Sequence, residues 1–146
     1  MQRPNDGGFL IEPGSAAHAA SPAHRRVLHE RATQVRFSRD LRRNLFSRNM
    51  FGEPAWDILL ALYVIDPDQR RLSTRELSTL AGHPLTTALR WLDYLEEQDL
   101  IDRATNPFDQ RVVYVELSAK GRARMDTYLT RLNETNIFAP ITVGKH

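Results

Sequence analysis

Residues 72–117 read LSTRELSTLAGHPLTTALRWLDYLEEQDLIDRATNPFDQRVVYVEL. Ser73-Thr74-Arg75-Glu76 fits a capping box, in which Ser73 caps a helix and Glu76 returns the hydrogen bond. Leu77 and Leu80 face inward from that helix, and Ala81 leaves room for a close neighbour. Gly82 stands where a helix C-terminus needs a left-handed residue. A second helix begins near Pro84, a residue suited to a first helical turn. Its apolar face is expected to be Leu85, Ala88, Leu89, Leu92 and Leu95, spaced by threes and fours. Thr86, Thr87, Arg90, Asp93 and Tyr94 occupy the opposite face. A short helix, a tight turn and a longer helix give helix-turn-helix spacing.

The same stretch closes with a hairpin. Leu100-Ile101-Asp102-Arg103 reads as one strand and the β-branched, aromatic run from Val112 to Leu117 as its return. Asn106-Pro107-Phe108-Asp109 holds strong turn formers between them. A helix-turn-helix followed by a hairpin is the winged-helix plan, with one helix in the DNA major groove and the hairpin beside it. Short hydroxyls and an arginine near a helix N-terminus, here Thr86, Thr87 and Arg90, suit base edges and phosphates. Arg103 and Arg111 flank the hairpin tip, where an arginine can enter a narrow minor groove. Two plainer readings stand beside these. The helix face is also what any solvated helix carries, and the arginines can form surface pairs with Asp102 or Asp109.

These residues resemble the MarR family of bacterial winged-helix transcription regulators. The match runs over roughly residues 52–130, through Leu77-Ser78-x-Leu80-Ala81 and Thr86-Thr87-x-x-Arg90-x-Leu92-Asp93-x-Leu95-Glu96. It continues in Leu100-Ile101-x-Arg103, in Asn106-Pro107-x-Asp109-x-Arg111 and in Val115-x-Leu117-Ser118-x-x-Gly121. The D-x-R wing followed by L-[ST]-x-x-G is its most specific part. The resemblance implies a homodimer that places the second helix (84–98) of each subunit in the major groove and the wing (103–111) in the minor groove. It implies DNA contact by Thr86, Thr87, Arg90, Arg103 and Arg111, with Asp109 orienting Arg111. It also implies a small aromatic effector between the dimer and DNA-binding lobes, although no residue in the sequence fixes its pocket. Three positions depart from the family pattern. Asp99 replaces a glycine in the turn after the recognition helix, where Asp tolerates the left-handed conformation. Trp91 replaces an aliphatic residue and is expected to be partly buried, and Gln110 replaces a basic residue at the wing tip.

Composition bounds the alternatives. At 146 residues the chain is expected to form one domain with a real core. The formal net charge is only +2, so the distribution of charge matters more than its sum. Eight arginines lie between Arg25 and Arg48, against Glu30 and Asp40. They suit phosphate or a solvated helix or dimer rim. There is no cysteine, hence no disulfide and no thiolate metal site. No apolar run reaches transmembrane length and MQRPNDGGFL has no hydrophobic signal core, so a cytoplasmic protein without membrane contact is expected.

The expected class is mainly α with a small β-hairpin (α+β). A flexible segment, residues 1–23, precedes the winged-helix domain, residues 24–146. Terminal helices 24–49 and 119–146 would serve dimerisation, through Leu28, Ala32, Val35, Leu41 and Leu45 on the first and Met125, Leu129 and Leu132 on the last. The alternative is a monomer that packs its own termini. Between them, a nearly all-apolar helix, Ala55 to Val64, should be the buried centre, ended by Asp66-Pro67-Asp68. The apolar tail IFAPITV has no evident core element. The five histidines, His18, His24, His29, His83 and His146, show no metal-ligand spacing, and no nucleophile, P-loop or dinucleotide motif occurs. Neither an enzyme nor a cofactor is therefore expected. The rival to a DNA-binding regulator is a winged helix used for protein interaction or dimerisation, a reading that Trp91 and Tyr94 keep open.

Overall fold

The computed structural model describes residues 21–46, 52–65 and 70–135. Nearly all of the N-terminal segment, the Asp66-Pro67-Asp68 break and the apolar tail lie outside them. Among the described residues the order is α1 (Pro22–Leu45), α2 (Pro54–Val64), β1 (Leu72–Ser73), α3 (Thr74–Ala81), α4 (Leu85–Glu97), β2 (Ile101–Asn106), β3 (Asp109–Leu117) and α5 (Ala119–Glu134). The α+β class and the winged helix-turn-helix arrangement are those expected. The sheet is three-stranded and antiparallel with β3 in the middle, so it has one strand more than the hairpin read from the sequence. Strand β1 escapes a pattern reading because it is two residues long and exists only by pairing Leu72 with Val115 and Ser73 with Tyr114. The hairpin strands also run closer to the tip than their β-branched residues indicated, since Asn106 pairs directly with Asp109.

Helix α2 is the centre. Ile58, Leu60, Ala61, Leu62 and Tyr63 are all buried, and the helix packs against α1, α3, α4, β3 and α5. Each buried aliphatic side chain of this size contributes roughly 1.5–3 kcal/mol of hydrophobic stabilisation. The terminal helices take part in this core. Leu28 and Ala32 of α1 and Met125 and Leu129 of α5 are buried within the protomer rather than left for a second subunit. Leu41 and Leu45, expected on the same stripe, are exposed together with Phe37.

Local signals explain the helix-turn-helix. Ser73 Oγ accepts from Glu76 N–H at 3.1 Å and the Glu76 carboxylate accepts from Ser73 N–H at 3.3 Å, the reciprocal capping box. Gly82 ends α3 at φ 77°, and Asp99 takes φ 60° after α4. The link after α4 is then clamped to the start of α5. Ser118 Oγ donates to Asp99 O at 2.6 Å, Ser118 N–H donates to Leu100 O at 3.1 Å and Lys120 Nζ donates to Gln98 O at 3.1 Å. A Cβ on Gly121 would stand 2.0 Å from Leu100 O, so only glycine lets α5 cross at this distance.

A buried ionic cluster joins α1, α2 and the turn between α3 and α4. Asp57, in the first turn of α2, is 4 % exposed and Arg39 of α1 is 7 % exposed. Arg39 Nε donates to Asp57 Oδ1 at 2.5 Å. Asp57 Oδ2 lies 2.7 Å from His83 Nε2 and 3.5 Å from an Arg43 Nη. A carboxylate only accepts, so the imidazole donates here. Arg43 also donates to Ala81 O at 2.8 Å and to Asp40 at 2.6 Å, while Arg36 donates to Leu80 O at 2.9 Å. The arginines of the second half of α1 therefore satisfy the carbonyls at the end of α3, where cations are favoured. Arg36, Arg39 and Arg43 thus serve the packing of α1 on α2 and α3.

Replacing Asp57 with alanine removes the buried partner of Arg39 and leaves it only the solvated Glu53 carboxylate at 3.6 Å. Asp57→Ala should cost about 3–5 kcal/mol in chemical denaturation. A loss below about 1 kcal/mol would show that the cluster contributes little to the fold.

Candidate nucleic-acid interface

Helix α4 carries Thr86, Thr87 and Arg90 in its first half. Thr86 and Arg90 are exposed, Thr87 is half-buried, and among the described residues Arg90 makes no side-chain hydrogen bond or ion pair. Ala88, Leu92 and Leu95 are buried on the other face. Leu89, expected inside, is exposed, because the buried stripe runs through Ala88, Leu92 and Leu95 and leaves position 89 to one side. Trp91 is partly buried against the core and meets Tyr94 edge-to-face with ring centres 5.7 Å apart.

The wing arginines separate into two roles. Arg111 is 91 % exposed, and its guanidinium donates to both oxygens of Asp109, Nε at 3.1 Å and Nη2 at 3.3 Å. Asp109 also accepts from Arg111 N–H at 3.1 Å. These bonds hold the Asp109 carboxyl below its ordinary value. Arg103 differs from the expectation of a groove-facing cation. Its side chain is only 21 % exposed, and it donates to Asp93 at 2.7 Å and to Glu96 at 3.0 and 3.3 Å. It pins β2 to α4, and its hydrogen bonds hold the Glu96 carboxyl below the usual carboxylate range. Asp93 and Glu96 are the two ends of this brace.

The tip of the wing is ordered by its own side chains. Asn106 Oδ1 accepts from Phe108 N–H at 2.8 Å, an Asx turn across Pro107. Asn106 Nδ2 donates to Tyr114 OH at 3.2 Å, and the register shifts between Thr105 and Asn106. Among the described residues, His29 and His83 serve as hydrogen-bonding groups. His29 Nε2 donates to Val64 O at 2.7 Å and His83 bonds Asp57. An open cleft of about 640 Å³ lies between the end of α1 and the α3–α4 turn, bordered by Arg43, Thr79, His83 and Pro84.

The Arg103 brace has a readable titration. Because the Glu96 pKa is depressed, its contribution is present above the unfolded-state value and disappears as pH falls through the lowered value. In Arg103→Ala the Glu96 carboxyl should titrate in the ordinary range by NMR. Both ends are solvated, so the thermal stability should change by about 0–1 kcal/mol. Identical Glu96 titration in the two proteins would remove the brace.

Solved structures share this architecture. A mutant of MepR from S. aureus superposes with a TM-score of 0.50 at 17 % identity, over 73 % of this chain and 80 % of that one. The transcriptional regulator PA4135 gives 0.49 at 22 % identity, over 72 % of this chain and 79 % of that one. A mutant of MarR from E. coli in complex with operator DNA gives 0.47 at 19 % identity, over 86 % and 76 %. No protein-family profile and no curated protein sequence matches the chain. The chain has the winged helix-turn-helix fold of MarR-type regulators.

Proposed function

We propose that this protein is a sequence-specific regulator of transcription that binds double-stranded DNA as a homodimer. Helix α4 enters the major groove through Thr86, Thr87 and Arg90. The wing reaches the minor groove through Arg111, with Asp109 as its orienting residue. Arg103 supports the wing from behind. The observation that carries this reading is the pairing of two exposed cations, Arg90 and Arg111, on the two elements that a winged helix offers to a duplex. The second subunit covers the exposed face of α1 formed by Phe37, Leu41 and Leu45. A small aromatic effector would sit in the cleft beside Arg43 and His83, between the helix-turn-helix and α1. The second reading, a protein-interaction winged helix, is favoured by the exposure of Leu89 and Tyr94 on α4.

Duplexes selected from a random pool test the DNA reading. Log affinity should fall steeply with log salt, at a slope corresponding to roughly 6–10 phosphate contacts per dimer. Arg90→Ala should reduce discrimination between selected and random DNA by about 1–3 kcal/mol. Arg111→Ala should weaken binding at least tenfold, about 1.4 kcal/mol, with an unchanged thermal midpoint. Asp109→Ala should cost less, and the double variant no more than Arg111→Ala alone, as for residues acting as one unit. Absence of binding to any duplex at low salt favours the protein-interaction reading instead.

A further inference from the structure

Phe108 is the most exposed large apolar residue described, at 96 %. Other exposed large apolar residues, such as Phe37, Leu45 and Tyr94, lie on helix faces and are covered to a greater degree. Scattered apolar residues on a surface need no explanation by themselves. Phe108 differs because its backbone is fixed. Pro107 restricts the preceding dihedral, the Asn106 carboxamide accepts from the Phe108 amide at 2.8 Å, and the same carboxamide is tied to Tyr114. Three residues on, the Arg111 guanidinium is exposed and oriented by Asp109. A rigid turn thus carries a bare phenyl ring and a cation at the end of one projecting hairpin.

That combination matches the demands of a duplex minor groove. A narrow groove concentrates negative potential, which attracts the guanidinium. Its walls are sugar and base edge, and an apolar wedge gains burial there by partly unstacking a base step. Ordering the tip before binding removes much of the entropic cost of inserting it. We propose that Phe108 is a minor-groove wedge that bends the bound DNA, so that the wing reads deformability as well as charge. This inference rests on the DNA-binding reading above. Flexible pyrimidine–purine steps at the wing position are the sites it favours.

The test uses the full chain and a selected duplex labelled at both ends. Fluorescence transfer reports the bend and anisotropy reports affinity. The wild-type protein should bend the duplex by at least about 20°. Phe108→Ala and Phe108→Ser should remove most of the bend and weaken binding about tenfold. The salt slope should be unchanged, because no phosphate contact is lost. Phe108→Leu should restore the bend, since a second apolar wedge can act in its place. The thermal midpoint should not move in any of the three variants. Normal bending by Phe108→Ala overturns the inference while leaving DNA binding intact. Loss of self-association in Phe108→Ala with normal bending also overturns it and assigns the ring to a protein contact. If the wild-type protein binds no duplex, the DNA reading fails first and the wedge falls with it.

Discussion

The buried carboxylate of Asp57 is the interaction on which the placement of the helix-turn-helix against α1 and α2 depends. It sits in the first turn of α2, where the helix dipole favours a negative charge, and it draws Arg39, Arg43 and His83 from two other elements. An ionised group removed from water costs several kcal/mol unless its bonds are satisfied, so these donors cannot be displaced independently. The consequence is geometric. Arg43 bridges Asp57 and the carbonyl of Ala81, which fixes the end of α3 against α1. Gly82 serves this bridge as well as the turn, because a Cβ there would stand 2.6 Å from the Arg43 guanidinium. The angle at which α4 leaves the turn is therefore set from the core side.

A second set of contacts carries that order outward. Gly121 lets the α5 backbone approach Leu100, and Ser118 and Lys120 cap the link that follows α4. Arg103 then ties β2 to Asp93 and Glu96, so α4 and the wing share one brace. The Asn106 turn and the Asp109–Arg111 pair finish the tip. On this face the cations at Arg103 and Arg111 resemble each other in sequence and differ in duty. One is consumed by two carboxylates from a neighbouring helix, and the other keeps an exposed guanidinium.

Much of this was legible in the chain because the signals are local. The capping box at Ser73 and Glu76, the left-handed residues Gly82 and Asp99, and the Asp109–Arg111 spacing each involve residues within a few positions of one another. What was not legible is non-local. Strand β1 depends on a partner more than forty residues away, and no periodicity marks it. The fate of Arg103 depends on carboxylates of α4, seven and ten residues earlier. Leu41 and Leu45 could not be told from the buried positions of α1 by spacing alone, because the second half of that helix turns Arg39 and Arg43 toward α2 and leaves these leucines exposed. One signal was available and unread. Asp57 is an acid inside the otherwise apolar run from Ala55 to Val64, and Arg36, Arg39 and Arg43 recur at helical spacing upstream. A lone charge in a helix expected to be buried calls for partners, and those arginines are the nearest set.

Hydrogen exchange resolved by peptide, with and without a selected duplex, tests the central claim most directly. The assignment of α4 and the wing as the DNA-facing elements predicts added protection in peptides spanning 84–91 and 104–112. Exchange in the α2 interior, already governed by the core, should not change. Protection confined to residues 34–46 of α1, or no duplex-dependent protection in either predicted segment, would contradict it.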